Sequence, residues 1–320
     1  MDKGRNYGID FLKIIACLAV LRLHIISINV AENEFQLFTY YLSGFAVPIF
    51  FMANGYFILN KRDLKFDYII KKIKKILILL VIWNTIYWIK NIITNNEINI
   101  SGWLLGSVLT SKNIGAYHLW FFWALIFTLI CDYYIYKLDK MGFKYGYTVG
   151  LLSILNIVAY AIHLDSSLSQ VFRVYIWLFY SIIGGFLGKI KIDVKSKRNV
   201  NLFCLMLIFI VTEYIYINYN LSLPKPRLAE FNYDFWIFMI STISLFIILS
   251  SIGYNLIIAN LIEKIVSLTM GVYVIHIGVL WLVEKFTQNL EIRYIVTLVV
   301  SFLIVYILSK LKWINKIVSF

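Results

Sequence analysis

The stretch FDYIIKKIKKILILLVIWNTIYWIKNII, residues Phe66 to Ile93, decides the fold. Its second part, Ile76–Ile93, is 18 residues long and carries one charge, Lys90. A membrane-spanning helix needs about 20 mostly apolar residues, so this part reads as a span. Its first part crowds Lys71, Lys72, Lys74 and Lys75 against one end, which places that end on the cytoplasmic side by the charge bias of membrane loops. Nine further runs read the same way: Ile9–Ile28, Phe35–Leu59, Tyr117–Tyr136, Gly146–His163, Phe172–Gly188, Asn201–Ile217, Phe235–Ile252, Ser267–Val283 and Ile292–Leu308. The predicted fold is all-α, a polytopic transmembrane bundle of about ten helices. Tyr254–Ile265 is apolar but short, and reads as a helix lying in the interface.

Composition agrees. Of 320 residues, 61% are hydrophobic and 15% charged, and the mean hydropathy is +0.79. Soluble domains carry roughly 45–50% apolar and about 25% charged residues, so this chain has too little polar surface to stay in water. No stretch is polar enough for a separate soluble domain, and residues 1–320 read as one integral membrane domain. The net charge of +13 would suggest nucleic acid in a soluble protein, but no module exists here to bind it. The charge points instead to topology, membrane lipids and an anionic ligand. Lys3 and Arg5 precede the first run as in a secretory signal, yet Lys13 interrupts the run and no small-residue cleavage site follows, so it reads as a retained helix. Cys17, Cys131 and Cys204 each sit in an apolar run with no disulfide or metal spacing; they read as small buried core residues, and no metal site is expected.

The charge bias tests the count of spans. With the N-terminus inside, the cytoplasmic segments hold Lys3 and Arg5, seven cations from Lys61 to Lys75, then Lys137, Lys140 and Lys144, five from Lys189 to Arg198, then Lys264, and finally Lys310, Lys312 and Lys316, 21 in all. The outer segments hold seven: Lys90, Lys112, Arg173, Lys225, Arg227, Lys285 and Arg293. A bias that alternates loop after loop agrees with ten spans and with both termini in the cytoplasm.

Ionisable groups within a membrane are costly and mark functional candidates. The first run holds Asp10, Lys13, Arg22 and His24. Lys13 and His24 return to within about 20° of one helical face while separated by about 16 Å of rise. Asp10 lies one turn before Lys13, placed to pair with it and keep its ammonium charged. Arg22 faces nearly the other way and reads as a structural residue that snorkels to the outer headgroups. On this topology Lys13 lies near the cytoplasmic face, and His24, His118, His163 and His276 all lie outward of centre. Imidazole accepts and returns a proton near neutral pH, as activation of a hydroxyl requires. Histidines also serve as amphipathic interface anchors. That reading suits His163 and leaves His118 open, whereas the deeper His24 and His276 point to function. The lysine patch is open too: it orients helices and touches anionic lipid, or it binds the charges of a phosphorylated donor. Runs such as Tyr133–Tyr134 and Trp120–Trp123 suit belts, packing or sugar stacking.

Ile9 to His24, IDFLKIIACLAVLRLH, resembles the opening signature of the membrane-bound acyltransferase 3 family, an Ile-Asp-x-Leu-Arg start, ten residues and a histidine. PIFFMANGYFI, Pro48 to Ile58, resembles its second-helix motif of a small polar residue, glycine and an aromatic. The lysine cluster is similar to the basic stretch that follows. YHLWFFWALI, Tyr117 to Ile126, and LTMGVYVIHIGVL, Leu268 to Leu280, resemble the His-Leu-Trp and Tyr-x-x-His segments of shorter members. The resemblance implies a ten-helix core in a bacterial cell membrane. It also implies an acyl-CoA donor, usually acetyl-CoA, and an acceptor hydroxyl on a cell-envelope polysaccharide or lipid-linked sugar. Asp10 and Lys13 would take the acidic and basic positions of the first motif, and His24 the catalytic histidine. Lys71, Lys72, Lys74 and Lys75 would bind the donor. Joined to the reading of the residues themselves, this leaves His118 and His276 to orient the acceptor or share protons. Two departures stand out: Lys13 replaces the usual arginine and loses its bidentate geometry, and Asn54 stands where serine is common. The rival reading is an exporter of polysaccharide units. No glycine- or proline-interrupted helices recur in matching halves to support it. A non-catalytic membrane sensor is a further rival.

Overall fold

The structure is a computed structural model, and it describes residues 5–95, 98, 100–108, 116–164, 168–190 and 198–311. Among the described residues regular structure is helical: α1 Tyr7–Ile25, α2 Glu34–Leu42, α3 Ala46–Leu59, α4 Phe66–Asn95, α5 Ile100–Leu105, α6 Trp120–Lys140, α7 Tyr145–Ala161, α8 Val174–Lys189, α9 Arg198–Ser222, α10 Trp236–Ser250, α11 Leu256–Val266, α12 Thr269–Val283 and α13 Leu290–Ser309. A helix occupies each of the ten predicted runs. Five stretches among the described residues are long and apolar enough to cross a membrane: Glu34–Leu59, Phe66–Thr94, Tyr117–Lys140, Val200–Ser222 and Leu290–Ser309. The pair α11 and α12, bent by 48°, makes a sixth if it counts as one broken span. α7, α8 and α10 are apolar but shorter. α1 has 19 residues, and Asp10, Lys13 and Arg22 lower its apolar character. Of the cations that set the predicted orientation, Lys3, Lys112, Lys191, Lys195, Lys197, Lys312 and Lys316 lie outside the described residues.

The differences from expectation have local causes. The second run is broken into α2, a short 3₁₀ turn at Ser43–Phe45, and α3. Pro48 cannot donate a backbone hydrogen bond and its ring crowds the carbonyl four residues back, at Gly44 inside that turn. The third run starts ten residues earlier than predicted, at Phe66, because lysine and isoleucine continue a helix readily; the lysine patch is therefore helical surface, not loop. α5 was not predicted; Trp103 Nε1 on it donates to Thr85 Oγ1 of α4 at 3.0 Å. Of the cysteines, Cys17 is buried, Cys131 is half-buried and Cys204 is exposed on α9. The expectation that all three are core residues therefore fails for Cys204.

The chain divides into two compact units, Met1–Ala53 with Ile190–Phe320, and Asn54–Lys189. In the first, α1 packs on α10, α11, α12 and α13. Cys17, Leu21, Val272 and Val305 form a fully buried cluster, flanked by Phe50, Ile275 and Phe302. A helix apolar on nearly all sides belongs inside a bundle, and α1 buries residues on every face. In the second, α6 packs on α4 and α8, and α8 also on α7. α8 approaches the end of α3 through glycine: a Cβ on Gly55 would lie 1.7 Å from the Ser181 carbonyl oxygen. Asn60 Nδ2 donates to the Gly185 carbonyl at 2.9 Å beside that crossing.

Candidate functional site

In the first unit, α1 begins at Asn6, whose side chain accepts from the Ile9 amide at 3.1 Å and donates to the Ser250 carbonyl at 3.2 Å. This cap fixes the level of Asp10, which is 5% exposed. Lys13 Nζ donates to Asp10 Oδ1 at 3.3 Å, the predicted contact, and Arg5 Nε donates to Oδ2 at 2.7 Å. Arg5 also reaches Glu263 of α11 at 2.8 Å. A buried carboxylate thus has two cations to offset its desolvation, and Asp10, Arg5 and Glu263 form an ionic chain joining α1 to α11, with Lys13 at its end.

Eleven residues further along α1, the half-buried His24 ring lies 5.1 Å from the ring of His276, the planes tilted by 35°. His276 is fully buried on α12, and its Nδ1 lies 2.7 Å from the Tyr273 carbonyl oxygen. A carbonyl only accepts, so Nδ1 carries the hydrogen and Nε2 the lone pair. The contact between α1 and α12 that brings the rings together is held by Leu21 against Val272 and by a weak bond from Cys17 Sγ to the Thr269 carbonyl at 3.6 Å. Two imidazoles side by side, one of them held by a backbone carbonyl, can take up and pass on a proton.

Arg22 does not snorkel to the headgroups. It is 6% exposed and grips Glu291 of α13 with both terminal nitrogens, at 2.5 and 2.8 Å. It also donates to Thr39 Oγ1 of α2, at 3.1 and 2.7 Å, and lies 5.3 Å from the centre of the Tyr294 ring. A forked guanidinium–carboxylate pair is both strong and directional, so Arg22 ties three helices together. Arg22→Ala is expected to lower the thermal midpoint of the purified protein, by a loss of about 1.5–3 kcal/mol. Glu291→Ala should lower it comparably, and the double variant no further than the worse single one. Additive losses would show that the two residues do not act as a pair.

In the second unit, Lys71, Lys74 and Lys75 lie exposed on one face of α4, and Lys72, about 100° around the helix, is half-buried. The Tyr68 ring lies near two cations, with Lys61 Nζ at 4.2 Å and Lys72 Nζ at 5.7 Å from its centre. His118 is fully buried at the start of α6 and meets the Tyr87 ring of α4 edge-on at 5.1 Å. Tyr87 is 12 residues beyond Lys75, about 18 Å along the helix axis, so His118 and the lysines occupy different levels of this unit. His163 is exposed just beyond α7 with φ of 54°. The structure therefore brings Asp10 to Lys13 and His24 to His276, and gathers the four lysines on one helix.

Buried carboxylates such as Asp132 and Glu213 also lie within the apolar runs. Asp132, in the C-terminal half of α6, is fully buried, with Ser181 Oγ of α8 donating to its Oδ2 at 2.7 Å and Asn54 Nδ2 of α3 at 3.3 Å. The rule that singles out ionisable groups in apolar runs applies to it as much as to His24.

A family model described as an acyltransferase domain matches residues 6–310. No curated protein and no solved structure matches the chain.

Proposed function

The chain belongs to the acyltransferase 3 family, and from that premise we propose that it moves an acyl group, most simply acetyl, from acyl-CoA to a hydroxyl of a cell-envelope polysaccharide or lipid-linked sugar. The setting proposed is a bacterial cell membrane, crossed ten times with both termini in the cytoplasm. The multi-pass character follows from the apolar helices and the family. The tenfold crossing rests on the alternating cation bias.

The observation that carries the reading is the pairing of His24 with His276 at 5.1 Å between ring centres. Acyl transfer needs the acceptor oxygen stripped of its proton as it attacks the thioester carbonyl. The C–S bond then breaks, the C–O bond remains, and the departing thiolate takes up a proton. His24 would accept the acceptor's proton as general base, with His276 sharing it through the lone pair on Nε2. His24 carrying the acyl group briefly itself is the other form of the same chemistry. Lys71, Lys72, Lys74 and Lys75 would meet the phosphates of the donor. Asp10, itself held by Arg5, would keep Lys13 fixed near the inner side.

The test is mass spectrometry of surface glycans from cells with and without this chain, together with radiolabelled acetyl-CoA supplied to inside-out vesicles. Acyl groups missing from the glycan in the deletion, and label passing to glycolipid in the vesicles, are the expected results. Glycan export that depends on the chain with no acyl-CoA consumed would replace this reading with the exporter. Label retained on the protein when no acceptor is added would identify the acyl-carrier form; its absence, the general base.

A further inference from the structure

Phe66, the first residue of α4, is 40% exposed, and contact with lipid does not account for it. On the charge bias this end of α4 lies on the cytoplasmic side, about 15 Å before the apolar stretch that starts at Ile76. Tyrosine and tryptophan suit such a level because one end of the side chain is polar; phenylalanine has no such end. The Phe66 ring lies 5.0 Å from that of Tyr133 on α6, and the planes are tilted by 55°, so the two form an open wedge and not a closed stack. Tyr134, 58% exposed, continues the row at 5.5 Å from Tyr133. Lys137 Nζ lies 5.5 Å from the centre of the Tyr133 ring.

The row is held in place before any ligand arrives. Tyr136, near Tyr133 on α6, accepts from the Leu64 amide at 3.3 Å and donates to the Arg62 carbonyl at 3.0 Å. These bonds pin the turn that leads into α4, and with it Phe66, against α6. A pre-formed surface binds with less entropy lost. The charge around it is strongly positive: residues Lys61–Lys75 carry seven cations against Asp63 and Asp67. Lys74 lies about 12 Å further along α4 than Phe66 and about 80° around it. Open aromatic rings beside one cation, with more cations a short way along the same helix, match a purine base joined to phosphates.

We propose that Phe66, Tyr133 and Tyr134 form a shelf that stacks on the adenine of the donor, with Lys137 meeting the phosphate on its ribose. The order along α4 then follows the order of coenzyme A. Adenine comes first at Phe66, the diphosphate next at Lys74 and its neighbours, and the thioester arm leads on toward the membrane interior. The inference rests on reading the lysine patch as the acyl-CoA site, and it gives that site a direction. A lipid headgroup shares the phosphate but has no flat base, so the rings tell the two apart.

The experiment is calorimetry of the purified full chain in lipid nanodiscs, with coenzyme A, 3′-dephospho-coenzyme A and 4′-phosphopantetheine as probes. Phe66→Leu and Tyr133→Leu are each expected to weaken coenzyme A about tenfold, the size of a base–aromatic stack, and 4′-phosphopantetheine, which has no base, by less than about twofold. Tyr133→Phe should restore the affinity that Tyr133→Leu loses, since a stack needs the ring and not the hydroxyl. Lys137→Met should weaken coenzyme A and leave 3′-dephospho-coenzyme A unchanged. A merely structural role for the rings would weaken all the probes alike, and that result overturns the inference. So does normal coenzyme A binding by both leucine variants, which leaves the donor site standing without this shelf. If Tyr133→Leu does not fold, Phe66→Leu at its exposed position decides alone. No binding of coenzyme A to the natural chain overturns the donor reading and this inference with it.

Discussion

Replacing His24 by alanine is expected to cut acyl transfer by about 10²–10⁴-fold, the usual contribution of a positioned general base, with the protein still folded. The two halves of that expectation rest on different observations. The loss follows from chemistry, since the ring on α1 is the group placed to take the acceptor's proton and the His276 ring stands on another helix, 5.1 Å away between ring centres. The retained fold follows from packing. His24 is only half-buried, and the contact between α1 and α12 is carried by Cys17, Leu21 and Val272. A thermal midpoint near that of the natural chain, measured on the same preparation, separates lost chemistry from lost structure. Full transfer by this variant would remove His24 from the mechanism.

The largest expected effect on stability is at Gly55. An alanine Cβ there would lie 1.7 Å from the Ser181 carbonyl oxygen and 2.4 Å from its carbonyl carbon, both backbone atoms that no rotamer change can move. α3 and α8 would have to part. That separation would stretch the Asn60–Gly185 bond and the bond from Ser181 to Asp132. Overpacking of this kind costs about 1–3 kcal/mol and sometimes more, so Gly55→Ala should give a clearly lower thermal midpoint and less folded protein in the membrane. Gly150 on α7 is the control, because a Cβ there meets nothing within 4 Å. Gly150→Ala should be neutral or stabilising by up to about 1 kcal/mol, the ordinary gain of alanine over glycine in a helix. Equal midpoints for the two variants would mean that α3 and α8 are not in close contact.

These two residues show what could be read from the chain and what could not. Hydropathy located helices well, since a run such as Ile76–Ile93 has no alternative to helix in an apolar solvent. It misjudged ends, because the same signal that marks lipid contact stops at Lys75 although the helix itself starts at Phe66. Asp10 and Lys13 were legible as a pair because they are local, one turn apart on one helix. The partner of His24 was only half legible. His276 stood out as a deep histidine, but its distance from His24 depends on how α1 and α12 pack, which no local pattern encodes. Arg22 was placed at the headgroups for the same reason: its carboxylate partner, Glu291, lies near the other end of the chain. Gly55 was visible as part of a motif, whereas the reason for a glycine emerged only with Ser181 against it. Asp132 is the reverse case. Its sequence signal, a carboxylate within an apolar run, is of the same kind as that of the histidines.

The measurement that bears most directly on the paired histidines is a double-variant cycle on the initial rate of label transfer from acetyl-CoA to envelope glycolipid in vesicles. It uses the natural chain, His24→Ala, His276→Ala and the double variant. If the two rings handle one proton together, each single variant is slow and the double variant is no slower than His24→Ala. Losses that multiply, or a His276→Ala variant as fast as the natural chain, would mean the neighbouring rings act separately.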